Sequence, residues 1–318
     1  MRRRSLLAGV AAAGVLAPHV VRAQELTVVR FATILVDDIT PSLYATSRGM
    51  FRQAGLDVRT TAMTGGAATA AAVLGGSIDI AVSNMVSVAT AHERGVPLVI
   101  ASPGSVYNTN APSVLMVVKR ESPIQSAPDL NGKTVASSTL RDLNMTTALS
   151  WIAQHGGDPS TIHQVELPYA AQLAAIDSGR VDAAILLAPF SQEALGNPKY
   201  RVVAHPYDAV APAFANGVYI AHEQYVAANP ETVRRFARVI RDASIYANAH
   251  HAETAPILAT ATGVDVEKVN RGTRATYFES LDYGKFQVLI DFFAKHDLLK
   301  RSFPAQEIIA APAAAAWR

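Results

Sequence analysis

The chain has 318 residues, 50% of them hydrophobic, 17% charged and 7% aromatic, with 28 Lys and Arg against 26 Asp and Glu. That is enough apolar material for one large core or two medium ones, and it excludes an intrinsically disordered chain. The absence of cysteine excludes disulfides, thiolate metal sites, cysteine nucleophiles and lipid attachment through an N-terminal cysteine.

The chain opens with Arg2, Arg3 and Arg4, an apolar run from Leu6 to Leu16, and the segment Val21-Arg22-Ala23. These are the three parts of an export signal over residues 1–23, cleaved after Ala23. Paired arginines before Ser5, Leu6 and Leu7 suit a twin-arginine signal, and the general secretory route is equally open. Pro18, His19 and the shortness of the apolar run argue against a retained membrane anchor. Removing the signal takes four of the 28 basic residues and leaves 24 against 26 acidic ones, so the remaining 295 residues carry a formal charge of −2. No later stretch is apolar for long enough to span a bilayer, and an exported, soluble product without a lipid anchor is expected.

From Leu26 the pattern alternates strands and helices. Residues 26–32 read as a strand, 41–55 as a helix opened by Pro41 and stopped by Gly55, and 56–63 as a second strand, which together make a βαβ unit. The Gly65-Gly66 turn, a short helix through Leu74, a Gly75-Gly76 exit and a strand over 78–84 repeat it. A helix over 85–94 and strands over 96–102 and 113–119 follow, the rhythm of a mainly parallel sheet. After a polar link over 120–132 the same grammar returns: strand 133–137, helix 143–155 with Met145, Ala148, Leu149 and Ile152 on one face, strand 163–167, helix 171–178, and strands 181–187 and 200–205. A strand over 217–222 then leads into helices over 230–250, 251–261 and 282–299, the last with Phe286, Leu289, Ile290 and Phe293 on one face. A single strand followed by long helices completes no sheet of its own. The economical topology is therefore a first α/β lobe of residues 24–118 and 213–318, with a second lobe of 119–212 inserted through two crossings that act as a hinge.

The motifs of common enzymes are missing. No HExxH, GxSxG, P-loop or calcium loop occurs, the nine histidines are scattered, and the adjacent His250 and His251 cannot face one point. No metal is expected. Asp37-Asp38, in the loop after the first strand, suit contact with a ligand in the crevice, or helix capping. Gly65-Gly66 read either as an anion-approaching helix start or as a tight turn. In 137-SSTLRDLN-144, Arg141 adds a planar cation beside the hydroxyls of Ser138 and Thr139, suited to a carboxylate or sulfonate, or lies in solvent. The aspartates Asp37, Asp38 and Asp142 would instead suit an amine or a protonated pyrimidine. Trp151 reads as the apolar side of its helix, and Trp317 as surface packing or disorder. The faintly acidic charge and the lack of Lys/Arg clusters with aromatics argue against nucleic-acid binding.

The phrases 48-RGMFRQAGLDV-58, 64-TGGAATAAAVLGGSIDIAVSN-84, 129-DLNGKTVASS-138 and 179-GRVDAAILLAPF-190 resemble, in series and over most of residues 26–300, the periplasmic substrate-binding proteins of ABC importers. The type that resembles them most serves nitrate, sulfonates, taurine or thiamine-pyrimidine precursors. The resemblance implies a two-lobed periplasmic-binding-protein fold of type II, each lobe a mainly parallel sheet flanked by helices, closing at a two-strand hinge over a small ligand. It implies a monomer in the periplasm, without cofactor or catalytic residues, that docks at the membrane on a permease with its ATPase without inserting. On this chain the family's ligand loops match Val36 to Thr40 with Asp37, Asp38 and Ile39; Gly65, Gly66 and Ala67; Ser83, Asn84 and Met85; Ser138 to Leu143 with Thr139 and Arg141, followed by Asn144; Ala188, Pro189 and Phe190; and the neighbourhood of Asn216. Phe190 or Tyr107 would meet a ring or alkyl part. A sulfonate or carboxylate is the expected ligand. The alternatives are a binding protein for thiamine-pyrimidine precursors, an exported enzyme on the same fold such as a pyrimidine-precursor synthase or hydrolase, and a ligand-sensing accessory protein.

Overall fold

The computed structural model describes residues 25–318 except Arg141, so the export signal expected over 1–23 lies outside the described residues. The first lobe begins with β1 (Thr27–Thr33), α1 (Thr40–Ser47), α2 (Met50–Gln53), β2 (Leu56–Ala62), α3 (Gly66–Leu74), β3 (Ile80–Asn84), α4 (Met85–Glu93) and β4 (Leu98–Pro103). The helix expected over 41–55 is divided at Gly49, whose φ of 68° is left-handed, and α2 ends before Gly55, at φ 76°. A short strand, β5 (Ser105–Asn108), leads out of this lobe.

The second lobe contains β6 (Val114–Lys119), β7 (Thr134–Ser137), α5 (Leu143–Gln154), β8 (His163–Glu166), α6 (Tyr169–Asp177), β9 (Ala183–Leu187), α7 (Phe190–Leu195) and β10 (Tyr200–Ala204). The chain returns through β11 (Ala213–Ala215) and β12 (Gly217–His222), then α8 (Glu223–Ala228), α9 (Pro230–Ala249), α10 (His251–Thr262), α11 (Val266–Arg271), β13 (Thr276–Tyr277), α12 (Tyr283–Lys295) and α13 (Ala311–Ala316).

The two large sheets repeat one plan. Their strand orders are β2-β1-β3-β12-β4 and β8-β7-β9-β6-β10, and in each sheet four strands share one direction while a single strand runs against them. The reversed strand is the one that has just arrived from the other lobe: β12 in the first, β6 in the second. This corrects the expected boundary at residue 118. β6 pairs with β9 and β10, so the second lobe begins before Val114 and the first crossing lies between β5 and β6. A strand so apolar carries no mark of which sheet it joins; only its pairing decides.

The strands β11, β5 and β13 form a third, three-stranded sheet at the crossing, absent from the sequence reading because its strands are two to four residues long. Tyr107 of β5, Phe214 of β11 and Tyr207 pack there with ring centroids 5.1 to 5.4 Å apart.

Burial follows the layers. β4 and β9 are buried along their whole length, as expected of strands covered on both faces, whereas the edge strand β2 turns polar and exposed after Val58. The amphipathic α9 places Val233, Phe236, Ala237, Ile240 and Ala243 inward, and Phe236 meets Phe51 at 5.3 Å and Phe31 at 5.8 Å in the first lobe's core. The C-terminal segment corrects the expectation for Trp317. α13 packs on α9 and β4, Ala310 N–H donates to the Ile100 carbonyl at the sheet's edge, and Trp317 is buried with its indole N–H donating to Ser102 Oγ at 3.1 Å. Alanines let the segment approach closely, and the indole brings its own hydrogen bond. Trp151 is half-buried and stacks on His155.

Candidate functional site

The lobes are closed on each other. Asp37 N–H donates to the Ala188 carbonyl across the gap at 2.8 Å, Gln192 Nε2 donates to the Thr273 carbonyl at 3.0 Å, and Lys268 lies 3.7 Å from Glu193. Gln192 passes so close to Gly272 that a Cβ there would lie 2.2 Å from its Cδ, an approach only glycine permits.

Between the lobes lies a partly open cavity of about 40 Å³. Ile34, Val36, Asp38, Gly66, Val82, Ser83, Asn84, Asn216 and Gly217 line it from the first lobe. Ser138, Asp142, Leu143, Asn144, Tyr169, Leu187 and Tyr207 line it from the second and from the crossing. Most of these residues lie where strands end and helices begin, at the carboxyl edges of the sheets, which is where open α/β sheets carry ligands. Three helices start at the cavity wall: α3 at Gly66, α4 just after its cap Asn84, and α5 after its cap Asp142. Asn84 Oδ1 accepts from Ser87 N–H at 3.1 Å, and Asp142 Oδ1 accepts from Met145 N–H at 2.9 Å.

Asn144 links three of the site's polar groups. It donates to Asp142 Oδ2 at 3.1 Å and to the Tyr169 hydroxyl at 2.8 Å, and accepts from the Tyr207 hydroxyl at 2.6 Å. Asn216 donates to Asp38 at 3.1 Å. Burial pushes the Asp142 carboxyl up to about 7, against the hydrogen bonds from Met145 N–H, Ser138, Ser137 and Asn144 that favour its charge. Burial, with the nearby charge of Asp37, raises Asp38 to about 6, partly offset by hydrogen bonds from Ser105 and Asn216. Burial also raises the Tyr169 and Tyr207 hydroxyls well above their ordinary range, so both stay neutral donors.

Of the residues singled out from the sequence, Asp38, Gly66, Ser83, Asn84, Ser138, Asp142, Asn144 and Asn216 lie on the cavity wall. Others lie elsewhere. Asp37 is fully engaged by the protein: Arg274 donates to it twice, at 2.8 and 2.9 Å, and Thr40, the Ala275 N–H and the Tyr277 hydroxyl also donate to its carboxylate. Burial raises this carboxyl, but the guanidinium's hydrogen bonds and charge outweigh that and hold it below the ordinary carboxylate range. Ile39 and Met85 are core residues, their side chains turned into the first lobe by the helices that start there. Ala67 is exposed, and Gly65 faces Thr139 at the seam between the lobes. Tyr107 is sealed in the hinge sheet, donating to Asp208 at 2.7 Å, so it is not free to meet a ring. Pro189 follows a cis peptide bond and caps α7, and Phe190 is buried behind the wall, stacked on Tyr169 at 6.0 Å. Arg141 lies outside the described residues. Tyr169 and Tyr207 escaped the sequence reading because each sits far along the chain from the loop it joins. Asp142 carried a signal: an acid immediately before an amphipathic helix is a cap facing the crevice.

The family model described as NMT1/THI5 like matches residues 36–254. A 4-amino-5-hydroxymethyl-2-methylpyrimidine phosphate synthase from Schizosaccharomyces pombe is 23% identical over 216 residues, 64% of this chain. The chain spans 60% of that relative's length. The alkanesulfonate-binding protein SsuA from Xanthomonas axonopodis pv. citri, solved with MOPS bound, is 19% identical, with 90% of this chain and 98% of the other covered at a TM-score of 0.71. The periplasmic nitrate-binding protein NrtA from Synechocystis PCC 6803 is 15% identical, with 93% and 89% covered at a TM-score of 0.76. At such identities the likeness shows the fold, two α/β lobes of the type II periplasmic-binding-protein architecture.

Proposed function

The chain belongs to the NMT1/THI5-like family, and we propose that it is the extracytoplasmic solute-binding component of an ABC importer. In this reading it captures a small organic molecule with an anionic head, a sulfonate or carboxylate, between its lobes. It then hands the ligand to a membrane permease driven by an ATPase. The observation that carries the reading is the convergence of α3, α4 and α5, from both lobes, on one cavity between them. Their unpaired N–H groups and partial positive charge favour a negative group. The Asn84, Ser138 and Tyr169 side chains add neutral hydrogen-bonding groups, and closure removes water that would weaken each bond. About 40 Å³ accommodates a head group of a few heavy atoms. The solved relatives named for alkanesulfonate and nitrate binding support the anionic class. An exported monomer, docking on the permease without entering the bilayer, suits the signal read in residues 1–23.

The curated relative named as a synthase favours a second reading, an enzyme on the same fold. Against it, the chain has no cysteine and none of its histidines is among the described lining residues, so no cysteine–histidine or serine–histidine pair is placed at the cavity. Native mass spectrometry of gently purified protein, a thermal-shift panel of alkanesulfonates, carboxylates and nitrate, and solution scattering test the choice. A ligand at a hundred times its Kd stabilises the folded form by about 2.7 kcal/mol and should compact it. No co-purified molecule, no shift across the panel and no compaction would reject the importer reading, and turnover of a bound molecule would favour the enzyme.

A further inference from the structure

Two carboxyl groups face the cavity, Asp38 from the first lobe and Asp142 from the second, and no Lys, Arg or His is among its described lining residues. Closure brings both acids to one space of about 40 Å³, with which a bound anion must share the wall. Among the described residues, the groups around them supply no compensating charge. Asp142 is faced by Ser137 and Ser138 from the end of β7, by Asn144 and the Met145 N–H from α5, and by Tyr169 from the start of α6. Asp38 is faced by Asn216, by Ser105 and by the backbone at Gly217. Tyr207 feels both carboxyls. The adjacent charge of Asp37 is already matched by Arg274. Two ionised carboxylates would repel the anion that the three helix ends attract.

We propose that Asp38 and Asp142 are ligand-selecting residues that meet the anionic group as neutral carboxylic acids, so that capture of the anion takes up a proton. A protonated carboxyl is a hydrogen-bond donor, and in a largely buried wall it serves an anion where its ionised form would oppose it. The high carboxyl ranges already described agree with this role. The linkage has a definite sign. Affinity for an anion is greatest below the carboxyl range and declines above about pH 7 by roughly tenfold per pH unit for each proton taken up. A cationic ligand would show the reverse, with tighter binding as pH rises and a proton released. The two lobes contribute one acid each, so the closed, loaded state is the one that holds the proton, and alkaline medium favours release. This inference rests on the anionic ligand proposed above.

Calorimetric titration of the protein with ethanesulfonate and with ethylammonium from pH 5 to pH 8.5, in buffers of different ionisation enthalpy, reads both sign and proton number. Ethanesulfonate should bind with proton uptake and weaken with rising pH. In Asp142→Asn and Asp38→Asn the slope should flatten, because an amide is a fixed neutral donor, and asparagine is as good a helix cap as aspartate, so α5 should still form. Ethanesulfonate affinity that is flat or rises with pH overturns the proposal, as does an unchanged slope in both variants. Carboxyl carbon NMR of aspartate-labelled, ligand-free protein separates this failure from that of the anionic reading. Two aspartates titrating near 6 to 7, each lost in one variant, support the neutral pair, and titration of every aspartate below pH 5 overturns it. If the pair titrates high while ethanesulfonate fails at every pH and ethylammonium binds, the anionic ligand is rejected and the proton uptake with it.

Discussion

Replacing Asp37 by alanine removes a carboxylate that holds the loop between β1 and α1 and leaves a guanidinium stranded. The Arg274 side chain is 4% exposed and Asp37 1%, so neither charge has access to water. Asp37→Ala deletes two guanidinium hydrogen bonds and the partners of Thr40, the Ala275 N–H and the Tyr277 hydroxyl. Breaking such a pair from one side costs about 3–5 kcal/mol, chiefly through the uncompensated charge, out of the 5–15 kcal/mol typical of a folded domain. Urea unfolding followed by circular dichroism at pH 7 measures it. The double variant Asp37→Asn with Arg274→Met removes both charges and should lose less than Asp37→Ala. The pH dependence has a fixed direction. Asp37 is held below its ordinary 3.8, so the unfolded chain takes up the proton first as pH falls. The contribution is full above that value and is lost as pH falls through the lowered one, so wild type and Asp37→Ala should converge in acid. A loss below about 1 kcal/mol at pH 7, or a gap that widens in acid, would refute the reasoning. Because Asp37 N–H also bonds Ala188 across the lobes, ligand affinity should fall with stability.

Gly272→Ala should hold the lobes apart, since its Cβ would fall 2.2 Å from Gln192 Cδ; scattering should show a larger radius of gyration than wild type, and adding Gln192→Ala should restore closure. A variant as compact as wild type would remove this contact from the closing surface. Trp317→Ala should cost about 3–5 kcal/mol through lost burial and the lost indole hydrogen bond to Ser102, and thermal unfolding should show it; a loss within 0.5 kcal/mol, roughly that of a neutral surface change, would contradict the docked tail.

Much of the architecture was legible because periodicity is a local property. The apolar runs of β4 and β9 and the face of α12 with Phe286, Leu289, Ile290 and Phe293 announce themselves within a few residues, and the return of the chain at β12 follows from a lone strand before long helices. Pairing is not local. β6 reads as a buried strand of either lobe, and the hinge strands β5, β11 and β13 are too short for any pattern and exist because each finds the others. The candidate site divides along the same line. Strand-to-helix turns at Gly66, Ser83, Asn84 and Ser138 are visible as turns, and turns at the ends of strands face a crevice.

The sequence by itself determined two α/β lobes joined by two crossings, and which loops stand at their common edge. Tertiary structure decided which member of each loop faces inward. Neighbouring aspartates show the difference: Asp37 turns to Arg274, which lies 237 residues further along the chain, while Asp38 turns to the cavity and Asn216. A side chain's partner depends on distances through space, and those exist only after the lobes have folded and closed.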